Sequence, residues 1–232
     1  MTTEPVRPMP NRAPMGSGLQ RTRIVAVLET GSASAGHERP DSFRIATVAD
    51  TLVENGVLCL ALSPRAGNGL TVLEQLATRL PDDAELGLGA VLAPEDAVRA
   101  AGAGADFVMS PLVAPDMVHA ARGIGLASYP GALTPSEVHL AWRTGATAVQ
   151  LFPGGSQGPG YLAALRRALP DIPVIPGGGI ECGDVADWLA AGAAAVVLGR
   201  SLLGDALLPG GDLRSLGVRT RLVCAAAADA PG

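Results

Sequence analysis

From Ile24 onward the chain alternates short apolar runs with longer amphipathic stretches, and this alternation limits its fold more than any other feature. The apolar runs occupy 24–28, 57–62, 85–88, 107–109, 125–128, 148–152, 173–175 and 195–198. Most are continuously apolar, as expected for parallel strands buried on both faces. Helix-like stretches lie between them at 42–55, 68–79, 94–101, 114–122, 135–144, 158–168 and 183–191. Several open on Pro or a small capping residue, as in Thr134-Pro135, and several close on Gly, as in Asn55-Gly56 and Thr144-Gly145. Eight strands joined by helices point to an α/β protein, a compact (β/α)8 TIM barrel, with a doubly wound open sheet as runner-up. The expected organisation is a flexible N-terminal tail over 1–22, the barrel over 23–211 and a C-terminal helix or tail over 212–232.

Composition excludes several function classes. Hydrophobic residues make up 48% of the 232 and charged residues 17%, enough apolar material for a large core. The net charge of −5 argues against the basic surface that nucleic acid selects, so no nucleic-acid partner is expected. No apolar run is long enough to span a bilayer, and residues 1–20 hold no continuous apolar segment of signal-peptide type. A cytoplasmic protein without a membrane partner is the expectation. All 17 basic residues are arginines, so the chain contains no lysine, consistent with Arg-for-Lys drift in an Ala/Gly-rich composition. Chemistry that needs a side-chain primary amine is therefore closed to it. Cys59, Cys182 and Cys224 form no C-x-x-C pair, and His37, His119 and His139 are scattered, so neither a disulfide frame nor a metal site is expected.

In a (β/α)8 barrel the chemistry sits at the C-terminal ends of the strands, and phosphate often binds after strands seven and eight. Two Gly-rich turns fall there, Pro176-Gly177-Gly178-Gly179-Ile180 and Gly199-Arg200-Ser201. Glycines let backbone N–H groups approach an anion, Ser201 adds a hydroxyl and Arg200 a charge. The competing reading is two ordinary tight βα turns.

Further phrases accompany these turns: Asn55-Gly56-Val57 with Leu60 to Arg65, Gly87-Leu88-Gly89-Ala90-Val91-Leu92 and Phe107-Val108-Met109-Ser110-Pro111. Tyr129-Pro130-Gly131 with Thr134-Pro135-Ser136-Glu137, and Leu151-Phe152-Pro153, follow in order. Together they resemble the 2-keto-3-deoxy-6-phosphogluconate/4-hydroxy-2-oxoglutarate (KDPG/KHG) aldolase family from about Ile24 to Leu203. That resemblance implies a class I aldolase barrel, usually trimeric and without a cofactor, that cleaves 2-keto-4-hydroxy acids through a lysine Schiff base assisted by a glutamate. The lysine position is occupied here by Gln150, the glutamate by Ala61, a strand-three threonine by Ala90, and a strand-one arginine by Glu29.

The positions that hold anions persist. The resemblance assigns Arg65 to a substrate carboxylate, Pro111 to the turn after strand four, Phe152 to the strand-six end, and Gly178, Gly179 and Ser201 to the phosphate cradle. Gln150 has no nucleophilic nitrogen and cannot form an iminium. The expectation is thus a binder of a small phosphorylated or keto-carboxylate metabolite, homotrimeric, without lysine-dependent cleavage. Two rivals stay open: altered keto-acid chemistry, in which a buried Glu29 is the general base, and a structural or regulatory subunit without a ligand. Glu29 also reads as a surface carboxylate or a partner of Arg65, and Gln150 as a core amide satisfied by neighbours. Trp142 and Tyr161 read as packing residues, and Glu137 as a helix-start carboxylate.

Overall fold

The computed structural model of the chain describes residues 12–29, 40–63 and 69–231. In order, they form α1 (Ser17–Thr22), β1 (Ile24–Glu29), α2 (Ser42–Glu54), β2 (Cys59–Ser63), α3 (Gly69–Ala77) and β3 (Glu85–Leu88). Then come α4 (Pro94–Gly102), β4 (Phe107–Ser110), α5 (Pro115–Gly123), β5 (Ala127–Ala132), α6 (Pro135–Thr144) and β6 (Val149–Leu151). The chain continues through α7 (Pro159–Ala168), β7 (Val174–Pro176), α8 (Val185–Ala190), β8 (Val196–Leu198), α9 (Arg200–Leu203) and α10 (Leu213–Asp229). All recorded pairings are parallel, in the order β7-β6-β5-β4-β3-β2-β1-β8. The two ends of that order meet, with the Ala194 N–H donating to the Val174 carbonyl at 2.9 Å. The sheet is therefore a closed (β/α)8 barrel and not the open alternative.

Alternation along each strand divides the core into two shells. Ile24, Ala26, Leu28, Leu60 and Leu62 face outward and pack under the helices. Val25, Cys59, Phe107, Tyr129, Ala148, Ile175 and Ala195 fill the barrel interior. Phe107 lies across Gly87, where a Cβ would come within 2.2 Å of the ring, so that interior position tolerates only glycine.

Local chemistry sets the helix ends. Thr134 and Glu137 form a reciprocal capping box at the start of α6, which is where Glu137 was expected, and Gly145 closes that helix at φ 110°. The Tyr161 hydroxyl donates to the Leu133 carbonyl at 2.7 Å, and Arg12 stacks on Trp142, so both aromatics pack between elements.

Two expectations need correction. β5 runs over Ala127–Ala132 and not 125–128, because Gly125 and Leu126 still belong to the closing turn of α5. Its Tyr129-Pro130-Gly131 segment looks like a turn by composition, yet Gly131 pairs with Gln150 in the ladder. Residues 17–22 are not tail. α1 closes the bottom of the barrel with Leu19 fully buried, and the Glu85 carboxylate accepts the N–H groups of Gly18 and Leu19 at 2.6 and 3.1 Å. Residues 1–11 lie outside the described residues. The C-terminal segment is a helix from Leu213, capped by Asp212 and packed against α2 and α8 through Leu216, Val223 and Ala227. The short α9 had no periodic signal in the sequence.

Candidate ligand-binding site

A cavity of about 470 Å³ opens at the C-terminal ends of the strands. Its floor is the uppermost inward layer of the barrel, Val27 of β1, Ala61 of β2, Met109 of β4, Gln150 of β6 and Val197 of β8. Its wall and mouth are formed by Glu29, Ser63, Gly89, Ala90, Ser110, Pro111 and Phe152, and by 178–181 and 199–201.

Gln150 is the polar group of this floor. It is 7% exposed, and its side-chain amide makes no hydrogen bond to any described residue. Its Nε2 sits against Gly177, where a Cβ would lie 2.6 Å away, so the bare backbone after β7 is what leaves room for the amide. The reading of Gln150 as a core amide satisfied by neighbours therefore fails.

The first of the two Gly-rich turns runs through left-handed backbone. Gly178 and Gly179 lie at φ 80° and 78°, a region costly for other residues. Gly178 is pressed against Phe152, whose ring would be 2.6 Å from an added Cβ. The backbone N–H groups of Gly178, Gly179, Arg200 and Ser201 have no acceptor among the described residues. The Ser201 hydroxyl, expected as a donor to an anion, donates instead to the Ile180 carbonyl at 2.7 Å. Arg200 and Pro111 are exposed at the mouth.

Glu29 lines the cavity near Gly199 but is exposed, so the burial on which a general-base role depended is missing. Arg65 lies outside the described residues. Of the residues singled out from the sequence, the fold brings Glu29, Pro111, Gln150, Phe152, Gly178, Gly179, Arg200 and Ser201 around one cavity. Val27, Ser63, Met109, Ser110, Glu181 and Val197 were not foreseen as lining. The signal was available for the strand residues, since counting in twos from Val25, Cys59 and Phe107 reaches the first three of these.

This geometry defines a closed α/β barrel with a small-molecule cavity at the strand ends, the arrangement through which such barrels act on metabolites. Residues 17–218 match the family model described as KDPG and KHG aldolase, and the chain belongs to that family. The 2-dehydro-3-deoxy-phosphogluconate aldolase of Pseudomonas aeruginosa is 34% identical over 169 residues, covering 72% of this chain and 76% of that enzyme. The 2-dehydro-3-deoxy-6-phosphogalactonate aldolase of Escherichia coli is 36% identical over 122 residues, 52% of this chain and 60% of that enzyme. The KDPG aldolase of Legionella pneumophila, solved with pyruvate captured as a covalent carbinolamine intermediate, superposes with a TM-score of 0.78 at 20% identity. That superposition covers 90% of this chain and 97% of that one, and it carries the fold alone. No helix among the described residues is long and apolar enough to cross a membrane.

Proposed function

We propose that this barrel binds a small phosphorylated or keto-carboxylate metabolite and does not carry out lysine-dependent aldol cleavage. The observation that supports this most strongly is Gln150, a buried neutral amide at the floor of the cavity in a chain that contains no lysine. An aldol cleavage through an iminium needs an amine that condenses with the keto carbon, and an amide nitrogen, its lone pair delocalised, does not. Ala61, on the same floor, has no proton to move. The groups suited to holding an anion are the free N–H set of Gly178, Gly179, Arg200 and Ser201, with the Arg200 guanidinium beside it. Arg65 is assigned to a carboxylate by the resemblance alone.

The protein is incubated with keto-deoxy-phosphogluconate and hydroxy-oxoglutarate, pyruvate release is assayed, and thermal unfolding is followed with the same ligands. The reading predicts a rise in melting temperature with one of these anions and no pyruvate. Pyruvate release at the rate of a lysine aldolase overturns it.

The resemblance further implies a homotrimer. Exposed apolar side chains on two strand-end loops, Leu92 and Leu112, at 57% and 50%, fit burial between copies. Sedimentation equilibrium predicts three chains per particle, and a monomer at micromolar concentration contradicts that.

A further inference from the structure

We infer that the ligand's inner end, the part that reaches Gln150, is an uncharged hydroxyl-bearing group, so that the site takes a small phosphorylated polyol in preference to a phosphorylated carboxylic acid. This rests on the anion-binding reading above and narrows it. The polar side chain at the floor is 7% exposed, unpartnered among the described residues, and lines the cavity.

An amide carries two N–H donors and one acceptor oxygen. A buried polar group left unpaired costs free energy, so the ligand that fits best satisfies both halves. A hydroxyl does this, accepting from Nε2 and donating to Oε1. A carboxylate only accepts, so it answers the donors and leaves the amide oxygen facing an anion. The neighbouring floor groups, Val27, Ala61, Met109 and Val197, are apolar and offer that charge nothing.

The wall repeats the pattern. Ser110 is 1% exposed, and its Oγ accepts the Leu112 N–H at 3.3 Å, leaving its own O–H to donate. Ser63 places a second hydroxyl on the cavity lining. The charged side chains among the described lining residues, Glu29, Glu181 and Arg200, are all exposed at the mouth. Among the described lining residues, charge therefore sits at the mouth, beside the glycine turns, and neutral polarity at the floor; Arg65 lies outside them.

Two probes isolate the inner group. Glycerol 3-phosphate and 3-phosphoglycerate share a phosphate and a three-carbon chain and differ at the far end, hydroxymethyl against carboxylate. By isothermal titration the unsubstituted protein should bind glycerol 3-phosphate at least about tenfold more tightly, the size expected for one buried group left unpaired. Gln150→Leu should bring the two dissociation constants within about threefold of each other, and Gln150→Lys should reverse the order by restoring a cation for the carboxylate. Melting curves of both variants check that they fold, and the ratio measured on the unsubstituted protein stands even where a variant does not.

Equal or tighter binding of 3-phosphoglycerate to the unsubstituted protein overturns the inference, and so does a preference that survives Gln150→Leu. Binding of inorganic phosphate with neither probe overturns the inference while leaving the anion site standing. Binding of none of the three overturns both.

Discussion

At the scale of single residues, the site turns on small differences in what occupies a fixed position. Gln150 is held where an interior strand position meets the cavity, and Gly177 leaves it space that any Cβ would take. Gly178 does the same for the turn after β7, with positive φ and the Phe152 ring close on its other side. Gly178→Ala should therefore cost on the order of 1–2 kcal/mol in backbone strain alone. It should also weaken anion binding by at least about tenfold as the turn shifts, measured by titration with inorganic phosphate. Unchanged affinity would show that these N–H groups do not hold the anion. At the opposite end of the barrel, the Tyr129 hydroxyl is fully buried and makes no hydrogen bond of good geometry to a described residue, although the Gly16 backbone lies close enough to act on it. Burial pushes that phenol far above its ordinary range, with Cys59 and Glu85 adding to the effect. Tyr129→Phe removes an unpaired polar atom and keeps the ring packed on Phe107, so it should stabilise the fold by about 1 kcal/mol in denaturant unfolding. A loss of that size would reveal a partner for the hydroxyl.

At the scale of elements, α1 ties the N-terminal segment to the barrel floor through one carboxylate. Burial raises the Glu85 pKa above 4.5, and the Leu19 and Gly18 N–H groups oppose it less strongly. The folded chain then holds that proton more tightly than the unfolded chain. Its contribution to stability is full below the unfolded pKa and is lost as pH rises through the folded one. Glu85→Gln removes the titration and keeps an acceptor oxygen. The melting temperature of the variant relative to the parent should accordingly rise between pH 4 and pH 7, and a flat or falling difference would contradict the assignment. The sequence could not announce α1, because its six residues bury a single large apolar side chain, Leu19, and its anchor, Glu85, is 66 residues away. The longer helices were legible because caps such as Thr134 with Glu137 and Gly145 are written locally. β5 was misplaced because Pro130 and Gly131 read as breakers, whereas a strand buried in the closed barrel accommodates both.

At the scale of the whole molecule, eight repeats of strand and helix made the architecture readable, while closure of the barrel is a property of all strands together. The site was readable to the extent that it lies on the glycine turns and on positions carried by the family resemblance. What the sequence left hidden was the state of Gln150. Whether a buried amide finds a partner depends on Gly177, Val197 and the strand register, none of which is encoded near it. The central claim concerns the whole chain, since without a lysine no neighbouring strand supplies the missing amine. The most direct test is intact-mass spectrometry after incubation with pyruvate and borohydride. The unsubstituted protein should show no reduced adduct under conditions that label a lysine aldolase of the family stoichiometrically. An adduct of pyruvate mass on this chain would contradict the account.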